Sequence, residues 1–225
     1  EIANYPFTTI DANHGVMYVR KPCPHKDFEV TCTPHNSKCI NGIRFVPIDA
    51  LDVAGLVPNA FQGRGLGNKF LDDLRQAHSL IHIVDASGST DSEGNPCKTG
   101  SYDPLNDIDF LEKEITYWLH GIIKKSWENI ARKAQLEGQK IDRLLAEQLT
   151  GLGVREGHIQ SAIRILQLDT SKPSMWSDEQ MLNLADYVQK KSKPMLIALN
   201  KVDVAGDSID DLIEEIKKRG YRVIP

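Results

Sequence analysis

Two short segments carry residue types that could do chemistry on one ligand. Asn200-Lys201-Val202-Asp203 supplies an amide, an ammonium and a carboxylate within four residues. Asp52-Val53-Ala54-Gly55 supplies a carboxylate and, three residues on, a backbone N–H with no side chain beside it. The Asp203 carboxylate could accept two hydrogen bonds from the ring N–H and exocyclic amine of guanine. Adenine presents the wrong donor pattern on that edge, and a buried carboxylate left unpaired is costly. Asn200 could donate and accept beside the base, while the Lys201 stem packs over the ring plane and keeps its ammonium in water. Asp52 is the acidic group to hold Mg²⁺, through water, because this ion keeps much of its hydration shell. Gly55 would let its N–H approach a terminal phosphate. Asp-x-x-Gly alone is common in turns; the two segments in this order are the specific signal.

Elements must bring such residues to a common edge. Each segment follows a short apolar run, Phe45–Leu51 or Met195–Leu199, and both runs read as strands. In an open α/β sheet, ligands bind at the carboxyl ends of strands. Gly15–Arg20 and Ile43–Leu51 are expected to pair antiparallel, Leu66–Gln76 to be helical and Ser79–Val84 to be a buried strand. His82, inside that strand, reads as packed rather than catalytic. Ser87–Pro104 is turn-rich. From Asn106 apolar residues recur at three- and four-residue steps: Phe110, Leu111, Ile115, Trp118, Leu119 and Ile122, then Ile141, Leu144, Leu145 and Leu149. Gly138 and Gly151–Gly153 punctuate the run. The simplest expectation is an antiparallel pair of helices, with a further helix over His158–Leu168. Trp118 and Trp127 share the apolar period and read as core. Ser177, followed by Asp178, Glu179 and Gln180, reads as the start of a helix to Lys190. Val223–Pro225 reads as a last strand.

Longer motifs add a resemblance. Asn4-Tyr-Pro-Phe-Thr-Thr9, Asp52-Val-Ala-Gly-Leu-Val57, Gly63-Arg-Gly-Leu-Gly-Asn-Lys-Phe-Leu-Asp72 and Ile81-His-Ile-Val-Asp-Ala86 resemble the Obg-related GTPases. Tyr102-Asp-Pro-Leu-Asn106, leading into the long helical segment, resembles the YchF-type subfamily in its archaeal or eukaryotic-like branch. The resemblance implies an α/β fold: a three-layer P-loop NTPase, or Ras-like G domain, with a mostly parallel sheet and an inserted α-helical hairpin domain. Residues 1–103 and 177–225 would form the G domain and 104–176 the insertion. It further implies binding of GTP and GDP, hydrolysis to GDP and phosphate with a Mg²⁺-dependent switch, a link to the ribosome, and a cytoplasmic monomer. Thr8 and Thr9 would lie in switch I, with Thr9 favoured as the residue on Mg²⁺ and the γ-phosphate. Leu56 stands where Ras-like switches carry the glutamine that orients water. A leucine cannot do this, so turnover at Gly55 and Leu56 should be slow or depend on a partner. Well-known subfamily members carry a Glu-ended base motif and prefer ATP; Asn200–Asp203 keeps the guanine pattern, so GTP is expected. The alternative is a regulator gated by GTP or ATP, with negligible hydrolysis of its own, that recruits a partner or RNA.

A P-loop, Gly-x-x-x-x-Gly-Lys-Ser/Thr, is not found in these residues. Gly63–Lys69 is a decoy, since its lysine follows Asn68 and no Ser/Thr comes next. Its glycines suit a switch II loop. The first strand and P-loop are therefore expected upstream of Glu1, and a guanine-supporting loop beyond Pro225. Composition is that of a soluble globular protein: 225 residues, 40% hydrophobic and 26% charged, with net charge −4. That charge argues against indiscriminate nucleic-acid binding. No apolar stretch reaches membrane-spanning length. Lys125, Arg132 and Arg143 share a helical sector that could touch ribosomal RNA, or could be a solvated face, since Glu128, Glu137 and Asp142 are interspersed. Lastly, Cys23, His25, Cys32, His35 and Cys39 cluster in one connection. They could ligate Zn²⁺, but lack paired Cys-x-x-Cys knuckles; a hairpin with free or redox-active thiols is the other reading. Cys97, in the polar loop, stands apart.

Overall fold

Val16, Tyr18 and Val19 give β1 (Asn13–Pro22) the β-branched and aromatic content that favours extended chain. It pairs antiparallel with β3 (Ile43–Asp52) along ten residues, Asn13 opposite Asp52 and Pro22 opposite Ile43. The short β2 (Lys38–Ile40) lines the other side of β3, giving the order β1-β3-β2. Asn41 and Gly42 join β2 to β3 at φ 52° and 79°. Two left-handed residues make the turn that matches strand twist, and Asn-Gly adopts it at least cost. This Asn-Gly pair is itself a hairpin signal in the sequence. A bond from Cys23 N–H to the Gly42 carbonyl at 2.8 Å extends the ladder one step past the strands.

These strands come from a computed structural model that describes residues 12–53, 67–206 and 209–225. The described residues fall into two compact units, one within Thr9–Ala54 and one within Gly55–Pro225.

In the larger unit β4 (Leu80–Asp85), β5 (Met195–Asn200) and β6 (Arg222–Ile224) form a parallel sheet in that order. Asp85 stands opposite Asn200, so β4 and β5 end level with each other. Helix α1 (Gly67–Gln76) precedes β4, and α6 (Ile209–Lys218) connects β5 to β6. α6 escaped the sequence reading, although Asp210 and Asp211 in its first turn and Lys217 and Lys218 in its last suit the helix dipole.

Between β4 and β5 run α2 (Leu105–Leu136), α3 (Ile141–Leu149), α4 (Glu156–Ile165) and α5 (Asp178–Ser192). The expected two-helix hairpin is corrected here. α2 packs on α3 and α5, α3 on α4, and α4 on α5, so four helices close a ring around one core. Gly138 at φ 68° ends α2, and Gly153 at φ 73° separates α3 from α4, each in a conformation that continues no helix. The core joins Leu119, Ile123, Trp127, Leu145, Leu149, Ile159, Leu184 and Val188. Each such fully buried side chain contributes about 1.5–3 kcal/mol relative to exposure. Trp127 stacks on Trp176 with centroids 5.2 Å apart, and Trp118 packs against the same cluster, as the apolar period implied. Ser177 caps α5: its Oγ accepts from Gln180 N–H at 3.1 Å, and Gln180 Oε1 accepts from Ser177 N–H at 2.9 Å.

Candidate functional site

The level ends of β4 and β5 hold the densest polar network among the described residues. Asp85 closes β4, and its carboxylate accepts from Ser87 N–H at 3.0 Å, Ser87 Oγ at 2.5 Å, Ser89 Oγ at 3.1 Å and Thr90 Oγ1 at 2.7 Å. From β5's end, Lys201 Nζ donates to Asp85 Oδ2 at 2.8 Å and to Ser89 Oγ at 3.4 Å. Burial alone would push the Asp85 carboxyl up. The bonds from Lys201, Ser87 and Thr90 outweigh it and hold the carboxyl well below the usual carboxylate range. The loop stays tight because Gly88, at φ 56°, lies against the Tyr102 carbonyl, which a Cβ there would meet at 2.2 Å. Gly88 N–H bonds the Asp85 carbonyl at 3.2 Å, and Tyr102 N–H bonds the Gly88 carbonyl at 3.3 Å. Tyr102 Oη in turn donates to Asp107 Oδ1, in the first turn of α2, at 2.9 Å.

The base-reading tetrapeptide follows β5 as a turn. Asn200 Oδ1 accepts from Lys201 N–H at 2.9 Å, and Val204 N–H bonds the Lys201 carbonyl at 3.1 Å. Lys201 adopts φ 57°, a conformation that a side chain with a Cβ takes up at a cost of about 1 kcal/mol. The ion pair to Asp85 holds it there, while the Asp203 side chain is exposed. The sequence reading left the Lys201 ammonium in water; instead it is bound to Asp85. Asp85 was missed as a site residue. Its signal was legible, since a carboxylate ends an apolar run and hydroxyls follow at the second, fourth and fifth positions.

The other predicted residues fare differently. Asp52 ends β3 as an exposed carboxylate opposite Asn13. Thr8, Thr9, Gly55 and Leu56 lie outside the described residues. His82 is partly buried, and its Nδ1 has no hydrogen-bond partner among the described residues; burial pulls its pKa down to about 4, so the ring is neutral. On the helices, Arg143 is paired with Glu147 at 2.9 Å and Lys124 with Asp178 at 2.6 Å, a mixed-charge surface.

A second constellation lies in the smaller unit. The ligand atoms of Cys23, His25, Cys32 and Cys39 all lie within 4.8 Å of one another. Cys23 follows β1, His25 sits in the helical turn Pro24–Lys26, and Cys39 lies in β2 opposite Arg44. Cys23 Sγ is 3.6 Å from Cys32 Sγ, Cys39 Sγ is 3.8 Å from His25 Nδ1, and Arg44 Nη2 reaches Cys32 Sγ at 3.5 Å. His25 beside it draws the Cys23 thiol below its ordinary pKa, whereas burial pushes Cys39 up. His35 is exposed on the loop and is not among the four, which corrects the five-residue expectation.

Comparison with known proteins follows the same lines. The family of 50S ribosome-binding GTPases matches residues 1–119. The GTP-binding protein MJ1332 of Methanocaldococcus jannaschii is 52% identical over 100% of this chain and 56% of its own length. The ribosome-binding ATPase YchF of Buchnera aphidicola is 25% identical over 100% of the chain and 57% of its own. A crystal structure of a GTP-binding protein from Pyrococcus horikoshii OT3 superposes with a TM-score of 0.81 at 40% identity, covering 95% of this chain and 57% of that one. The chain thus spans about half the length of the curated relatives it matches.

Proposed function

Because the chain belongs to the 50S ribosome-binding GTPase family, in its Obg-related, YchF-type branch, we propose that it reads guanine through Asn200–Asp203 and hydrolyses GTP to GDP and phosphate. The observation that carries this is the turn after β5: a positive-φ lysine anchored to Asp85 at 2.8 Å, beside an exposed Asp203 carboxylate. Asp85 fixes the turn, and Asp203 is left to accept from the guanine ring N–H and amine. Lys201 thereby acts as a positioning residue whose stem covers the ring.

Mg²⁺, when bound, neutralises phosphate charge. Asp52 fits as its water-mediated ligand, being an exposed oxygen donor at the end of β3, with Thr9 as the second candidate. Leu56 offers no hydrogen-bonding group to a water, so unaided turnover is slow and a partner raises it. The name of the family, and of the Buchnera relative, supports the ribosome as that partner, and we place the protein in the cytoplasm on that ribosomal link. Among the described residues no helix is long and apolar enough to cross a membrane.

A base-swap titration on the complete protein tests the reading. Asp203→Asn presents an amide N–H to the xanthine O2 and a carbonyl to its N1–H. The variant should lose guanine-nucleotide affinity by about 100-fold or more, the cost of breaking a charge-assisted pair, and gain affinity for xanthine nucleotides. Unchanged GTP affinity in that variant, or ATP outcompeting GTP on the native protein, would overturn it. Leu56 also favours a second reading, a nucleotide-gated regulator that hydrolyses little. Turnover raised many-fold by ribosomes supports the enzyme; nucleotide-dependent ribosome binding without turnover supports the regulator.

A further inference from the structure

We propose that Cys23, His25, Cys32 and Cys39 together bind one Zn²⁺ ion that serves as the structural centre of the β1–β2 connection. This is independent of nucleotide binding.

Distances carry the argument first. A tetrahedral zinc with Zn–S bonds of about 2.3 Å and a Zn–N bond of about 2.0 Å spaces its ligand atoms about 3.5–3.8 Å apart. The observed separations are 3.6 Å for Cys23 Sγ to Cys32 Sγ and 3.8 Å for Cys39 Sγ to His25 Nδ1, and no pair of the four exceeds 4.8 Å. Weak thiol hydrogen bonds give no reason for four such groups to meet at a point. A disulfide would use two sulfurs and leave the third cysteine and the imidazole unexplained, and all four cysteines of the chain are free thiols.

Ligand chemistry names the metal. Three sulfurs and one ring nitrogen make a soft donor set that suits zinc and offers nothing to Mg²⁺ or Ca²⁺. Binding releases the thiol protons to solvent, so three thiolates, a neutral imidazole and Zn²⁺ carry net charge −1. Arg44 compensates that charge. It stands opposite Cys39 in the β2–β3 register and donates to Cys32 Sγ at 3.5 Å, as an outer partner of a ligand should. With four protein ligands no coordination position is left for substrate, which makes the site structural rather than catalytic.

The connection also needs such a centre. Between Cys23 and Cys39 the large apolar side chains Phe28 and Val30 are 73% and 56% exposed, whereas Cys23 is 2% exposed. The segment buries Cys23 and half-buries His25, Cys32 and Cys39, while its hydrophobes stay exposed. A metal supplies the folding energy that a core of this size cannot.

The test is metal analysis of the complete protein purified without chelator, with a cobalt-replaced sample alongside. The expected result is about one zinc per chain, with cobalt giving the intense visible bands and thiolate charge transfer of a tetrahedral sulfur-rich site. Cys32→Ser and Cys39→Ala should each lose most of the metal, while His35→Ala and Cys97→Ser keep it. Chelation should make three thiols newly reactive. Native protein without stoichiometric metal, with the thiols freely reactive or with Cys23 linked to Cys32 by mass spectrometry, would overturn the proposal. So would metal that survives in both cysteine variants. The native measurements decide even if a variant fails to fold.

Discussion

At the scale of single residues, the candidate site is organised around one carboxylate at the end of β4. Asp85 is 12% exposed at its side chain and collects bonds from three hydroxyls, one backbone N–H and the Lys201 ammonium. Asp85→Asn strips the charge and leaves Lys201 without its ion pair, at an expected cost of about 1–3 kcal/mol in urea unfolding. The pH dependence follows from the direction of the shift. A carboxyl held below its unfolded value of about 3.9 contributes its full stability above that pH and loses it as pH falls through the lower folded value. The gap in unfolding midpoint between native protein and Asp85→Asn should therefore be constant near neutrality and close below about pH 4. A gap independent of pH would show that Asp85 acts through shape alone. The placement of Asn200, Lys201 and Asp203 directly after a strand was legible in the sequence because the apolar run before them is local. The Lys201–Asp85 bond was not, since 116 residues separate its partners and only the parallel register of β4 with β5 brings them level.

Elements show the same division between local and distant signals. The cap of α5 could be read directly, because Ser177 and Gln180 are three residues apart. Ser177→Ala should lower stability by about 1 kcal/mol in a thermal melt. The end of α1 could not be read. Lys193 lies just before β5, is 6% exposed, and donates to the carbonyls of Leu74 at 2.9 Å and Arg75 at 3.3 Å, and to that of Ala77. A cation there satisfies orphan carbonyls and opposes the helix dipole, although burial draws its pKa down. Lys193→Met keeps the stem and removes the donor, so three carbonyls, that of Leu74 buried and the other two partly so, lose their partner. The expected loss is about 2–4 kcal/mol, with amide exchange rising first around residues 74–77. Gly88→Ala should disorder the Asp85 loop for a steric reason, because its Cβ would meet the Tyr102 carbonyl at 2.2 Å. Nucleotide affinity in that variant should fall further than stability.

For the whole molecule, apolar periodicity identified which helix faces are buried but not how many partners each face meets. Phe110 to Leu149 reads equally well as a hairpin or as two sides of a four-helix ring, and only the return of α5 onto α2 decides it. The ring core runs through Leu145, Leu149 and Ile159, each 0% exposed, so Leu149→Ala should cost about 2–5 kcal/mol. Trp176 reports on this core through its stack with Trp127, and Trp176→Leu should change tryptophan emission while leaving guanine affinity unaltered. The parallel sheet was legible as apolar runs ending in chemistry-bearing residues, but the expected burial of the first run holds only in part, since Ile81 and Ile83 of β4 are exposed among the described residues.

α2 begins where Tyr102 ties the Asp85 loop to Asp107 and runs unbroken to Leu136. At 1.5 Å per residue its length is about 48 Å, so a pivot of about 5° at the first turn would sweep the distal end through about 4 Å. A rearrangement around Asp85 too slight to see locally would be magnified at the far tip, together with the helices packed along this arm. Spin labels on the exposed Leu136 and near Thr90 would measure that leverage directly, with and without nucleotide.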